Sequence, residues 1–105
     1  MKLKVVIEDQ VYEIRIPETV LEEGEEFFQR MDSDMSRGWQ MGREWVDAPD
    51  TVQRCQIAAD RLADAVSLEK ETLASLLAGY IVSRMPDAKE VYIATDGEPM
   101  ETEFR

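Results

Sequence analysis

The sequence predicts an α+β domain in the order β-β-α-α-α-β, with helices packed on one face of a small antiparallel or mixed sheet. Three observations predict it. Apolar residues alternate over 2–16, apolar stripes of helical period follow between 18 and 85, and a short run rich in β-branched residues returns at 90–95.

The first pair of strands rests on Leu3, Val5 and Ile7, then Tyr12, Ile14 and Ile16, with a polar turn between them. Pro17 stops the second strand. A helix is expected over 18–35, where Val20, Leu21, Gly24, Phe27, Phe28, Met31 and Met35 share one arc. Gly24 stands inside that arc, and close approach to the hairpin sheet is a physical reason for it. Residues 36–46 break the pattern, because Gly38 and Gly42 oppose a continuous helix. A second helix is expected from near Asp47, with Asp47 or Asp50 as its cap and Pro49 in its first turn. Its stripe is Val52, Cys55, Ala59, Leu62 and Val66, and Ile57 falls on the opposite side. The third helix, about 69–85, follows a turn near Val66–Lys70 in which Ser67 is the candidate cap. Pro86 ends it. Residues 90–95 read as a strand, and 98–105 as either a brief last strand or a frayed acidic tail.

At 105 residues the chain has room for one modest core, hence a single domain, 1–105. The formal charge of −11 disfavours nucleic acid and anionic membranes and favours basic partners. A single cysteine makes no internal disulfide, and the N-terminus lacks the apolar core of a signal peptide, so a cytoplasmic protein is expected. The chain has no histidine, which removes Ser-His and Cys-His nucleophiles and ordinary zinc sites. An enzyme is therefore not the expectation, and no cofactor or metal is expected.

The charge is uneven. Residues 17–35 carry seven acids and one arginine, whereas 36–46 carry two arginines and one glutamate. Asp32, Asp34 and Ser36 are spaced like the first ligands of a calcium loop. Arginines at 37 and 43, where such a loop needs a turn glycine and a bidentate glutamate, exclude it. Glu22, Glu23, Glu25 and Glu26 have the spacing of paired carboxylates, but they lie opposite the apolar arc, as a solvated face does. Cys55 belongs to an apolar stripe, where a thiol is inert.

That leaves the segment 36–46. Its tryptophans either cap the core or, with Met41 and ringed by Arg37 and Arg43, form a contact surface; these residue types are enriched at interface centres. If the segment is extended, Trp39, Met41, Arg43 and Trp45 share a face. The expected function is thus a small acidic, non-catalytic interaction or accessory domain that binds a protein partner or itself through Trp39, Met41, Arg43, Trp45 and Arg37. A homodimer is expected to use Ile57 and the small-residue strip through Ser75, Gly79 and Ser83. The alternative is a carboxylate-based metal-binding or enzymatic domain using the glutamates of the first helix or Asp32 and Asp34.

Overall fold

Strands β1 (Lys2–Ile7) and β2 (Gln10–Arg15) form the expected hairpin, closed by the two-residue turn Glu8–Asp9, in a computed structural model that describes all residues 1–105. Alternation decides which side is buried: Leu3 and Val5 are fully enclosed, while Lys2 and Lys4 face solvent. The chain later returns as β5 (Glu90–Ile93), parallel to β1, with Val5 opposite Val91 and Ile7 opposite Ile93. Parallel neighbours need a long crossover, and the intervening helices supply it. A two-residue strand β6 (Glu103–Phe104) completes a mixed sheet of order β2-β1-β5-β6. The fold is α+β, as the pattern predicts.

The helix expected over 18–35 is two pieces, α1 (Glu18–Glu23) and α2 (Glu25–Met35), divided at Gly24. A side chain at 24 would strike the Val20 carbonyl and come within 3.0 Å of the Phe28 ring. The close approach that selects glycine is therefore to its own helical turns and not to the sheet. Glycine does admit a second helix elsewhere. Gly79 of α4 (Glu71–Arg84) lies beneath Phe28, Val20 and Ile16, so α1 and α2 pack down on α4 at that point.

Helix α3 (Thr51–Ser67) starts one residue after Asp50. The Asp50 carboxylate accepts from the Gln53 N–H at 2.8 Å, and the Gln53 side chain accepts from the Asp50 N–H at 2.9 Å. This reciprocal pair is a capping box. Pro49 lies outside the helix, where its carbonyl accepts from Arg54 Nε at 3.0 Å. At the other end the Glu69 N–H donates to the Val66 carbonyl and the Lys70 N–H to the Ala65 carbonyl, with Glu69 at φ 57°. These two bonds make a Schellman motif, so the backbone itself turns the chain, without Ser67 as a cap.

The C-terminal segment is docked rather than frayed. A 3-10 turn, Pro99–Glu101, leads into β6, and Gln56 Nε2 donates to the Met100 and Thr102 carbonyls, each at 3.1 Å. This covers Gln56, and Cys55 through Ala59 are all buried, while Asp60, Arg61 and Asp64 on the side that the helical wheel assigns to solvent stay exposed. Ile57, expected exposed or at a second interface, is 3% exposed and belongs to the core.

One core of 21 buried apolar residues joins sheet and helices. Helix α4 is its most enclosed element, with Leu77, Ala78, Tyr80 and Ile81 fully buried. No helix is long and apolar enough to cross a membrane.

Candidate functional site

The segment 36–46 is a second, separate hairpin, β3 (Trp39–Met41) and β4 (Glu44–Val46). Gly42 and Arg43 form its turn. Gly42 has φ +64°, the left-handed value that the first central position of a II′ turn requires. A side chain on Gly42 would meet the Gly97 carbonyl at 2.7 Å, so the turn is pressed against the loop before the 3-10 turn.

This reversal changes which residues share a face. Gln40 pairs with Trp45, and Met41 with Glu44. Met41 is 2% exposed and Trp39 packs partly buried against the core, while Trp45 is 59% exposed. An extended segment would have put 39, 41, 43 and 45 together; the turn at 42–43 instead sends Trp39 and Met41 inward and leaves Trp45 outside. Met41 is thus a core residue and not a contact residue.

Trp45 is held although it is exposed. Its ring lies over Gly38, which is buried at φ +100° and whose hydrogen leaves no room for a side chain beneath the indole. Indole Nε1 donates to Asp47 Oδ1 at 2.7 Å. Arg37 and Arg43 are exposed, and neither enters an ion pair. The site therefore consists of a fixed aromatic plate with unneutralised guanidinium groups on the same short hairpin and its entry.

The strip expected at a homodimer interface is used within the protomer. Gly79 is covered by Phe28 and Val20, Ser75 Oγ donates to the Arg15 carbonyl at 2.9 Å, and Ser83 Oγ donates to the Tyr80 carbonyl at 2.7 Å. With Ile57 also internal, that strip offers a second copy no apolar face.

The glutamates of the first helical region do not converge. Glu26 pairs with Arg30 at 2.9 Å, Glu25 reaches Arg84 at 3.3 Å, and Glu22 and Glu23 are exposed without ion pairs. No three His, Cys, Asp or Glu side chains are placed to hold a metal ion.

Asp32 has a role that sequence reasoning missed. It accepts from the Tyr80 hydroxyl at 2.5 Å, from Arg84 Nη2 at 2.7 Å and Nε at 3.2 Å, and from Arg54 Nη1 at 3.2 Å. Arg84 also lies over the Tyr80 and Phe28 rings, at 5.1 and 5.6 Å. Burial pushes the Asp32 carboxyl up, but the hydrogen bonds from Tyr80, Arg84 and Arg54 and the Arg84 charge outweigh it, and the net direction is down. The Tyr80 hydroxyl moves up, first through burial and then through Asp32. One carboxylate thus ties α2, α3 and α4 together. The available signal was spacing: Asp32 stands four residues after Phe28, and Arg84 four after Tyr80. Beside this network Cys55 is fully buried, and burial pushes its thiol up to about 12, opposed by Arg84 and reinforced by Asp32. It is inert at neutral pH.

No protein-family model, curated protein or solved structure matches this chain.

Proposed function

We propose that this domain is a non-catalytic interaction module whose contact is the outer face of the β3–β4 hairpin: Trp45, flanked by Arg37 and Arg43. The observation that carries it is the state of Trp45. A 59% exposed indole is a large apolar area left in water. Its N–H is already satisfied by Asp47 and its ring is supported on Gly38, so binding would order little that is not ordered already. Tryptophan and arginine are the residues that most often dominate binding energy, and preorganisation reduces the entropic cost of using them. The two free guanidinium groups suit a protein surface with carboxylates beside an apolar pocket. A cytoplasmic setting is part of the proposal, supported by the buried, unpaired Cys55.

The test is affinity capture from host lysate with wild type, Trp45→Ala and Arg37→Glu/Arg43→Glu as baits. The expected result is loss of the same partner, by about tenfold or more, with both variants, while their circular dichroism and urea midpoints stay near wild type. Equal capture by all three baits would overturn the proposal. So would a Trp45→Ala variant that unfolds, since it would make Trp45 a structural residue.

A further inference from the structure

Strand β2 is an edge strand, paired only with β1. Its two-residue turn makes Ile7 and Gln10 a hydrogen-bonded pair. At the far end Met1 and Ile16 exchange bonds, Ile16 N–H to the Met1 carbonyl at 2.7 Å and the Met1 amine to the Ile16 carbonyl at 3.3 Å. An antiparallel ladder alternates between such pairs, so Tyr12 and Ile14 bond to β1, while Val11, Glu13 and Arg15 aim their N–H and C=O groups outward. Of these, the Arg15 carbonyl alone has a partner, the Ser75 hydroxyl. β2 has neither proline nor bulge to blunt this edge, and its two charged residues, Glu13 and Arg15, are of opposite sign.

A depression of about 730 Å³ lies beside the edge, between β2 and the α3–α4 turn, with Ile14, Ala65, Val66 and Ala74 among its lining residues. A second, of about 540 Å³, shares Tyr12 with the first and extends along α3 past Asp60 and Asp64. Together they form a groove along α3 that borders the open strand from Tyr12 to Arg15 and then crosses the tip of the β1–β2 hairpin to Ala94, Thr95 and Gly97. Glu8, Asp60, Asp64, Glu69 and Glu71 line it and enter no ion pair; Arg15 and Lys70 are the cations there. Burial, and then the neighbouring Asp64, push the Asp60 carboxyl up, as expected for a carboxylate short of positive charge.

We propose that β2 receives a basic, extended segment of a protein partner as an added strand, hydrogen-bonded to Val11, Glu13 and the Arg15 N–H, with its lysine or arginine side chains over the groove carboxylates. Backbone pairing along an exposed edge supplies affinity, and alternate side chains supply selectivity. Charge decides the occupant. A second copy would bring together two chains of formal charge −11, and a two-fold pairing centred on Glu13 would set that residue against itself. The strand is added on β2, and the β3–β4 turn reaches only the far end of the groove, where Gly42 meets Gly97, so the proposal stands whether or not the hairpin binds a partner.

The probe is an end-blocked peptide of alternating lysine and valine, titrated into the ¹⁵N-labelled chain. The expected result is saturable shifts of the Val11, Glu13 and Arg15 amides. A glutamate-for-lysine analogue, and a lysine peptide N-methylated at alternate residues, should each bind at least about tenfold more weakly. Glu13→Pro should weaken the lysine peptide similarly, because it removes an outward N–H without breaking the β1 ladder. Absence of binding would overturn the proposal. Equal binding of the methylated peptide would also overturn it, because attraction would then be charge alone, and this arm does not depend on how the proline variant folds. A dimer abolished by Glu13→Pro would assign the edge to a second copy and overturn the basic-peptide occupant.

Discussion

Asp32 concentrates the polar tertiary contacts of the helices on one side chain, which is about a quarter exposed. Arg54, Tyr80 and Arg84 all donate to it. Replacing Asp32 with Asn should cost about 2–3 kcal/mol by urea unfolding, because charge-assisted bonds are lost and two arginines keep their desolvation. The pH dependence has a definite sign. A carboxyl whose folded pKa is depressed stabilises the fold above its unfolded value, near 3.8, and that contribution disappears as the pH falls through the lower folded value. Urea midpoints measured downward from pH 5 should therefore fall less steeply for Asp32→Asn than for wild type. Glu69 makes the opposite case. It holds the left-handed position of the Schellman motif at φ 57°, where a Cβ is strained. Glu69→Gly should raise stability by about 1 kcal/mol, read as a higher melting temperature.

At the level of elements, the β3–β4 hairpin divides its residues sharply. Met41→Ala should cost about 2–4 kcal/mol, as truncation of a buried methionine does. Trp45→Ala should stay within about 1 kcal/mol, as surface changes usually do. The urea midpoints of these two variants measure that division directly. The sequence places a break here through Gly38 and Gly42 and marks its composition as unusual. It does not disclose the face of each residue, because a two-residue turn reverses the parity that a single extended strand would keep. Helix α3 shows the same limit. Its stripe is local and legible, whereas the choice between Asp47 and Asp50 as its cap, and the exclusion of Pro49, came only with the structure. The burial of Ile57 is not legible there, and its neighbour Gln56 meets carbonyls at 100 and 102, more than forty residues away in sequence.

Over the whole molecule, net charge and a single core set the behaviour. A formal charge of −11 repels itself, so added sodium chloride up to roughly 0.15 M should raise the melting temperature by screening. A flat or falling curve would mean that the ion pairs, chiefly those of Arg84 and Arg54 with Asp32, outweigh the general repulsion. The sequence by itself determined the fold class, the two-strand start, the apolar stripes of α3 and α4 and the acidity. Each follows from a local period or a count. Only the tertiary structure decided that Trp45 is outside and Met41 inside, that Ile57 and Gly79 belong to the core, that Asp32 joins three helices, and that β2 keeps an open edge beside an acidic groove. These depend on which distant segments cover a face, and a covered face and a free one read alike along the chain.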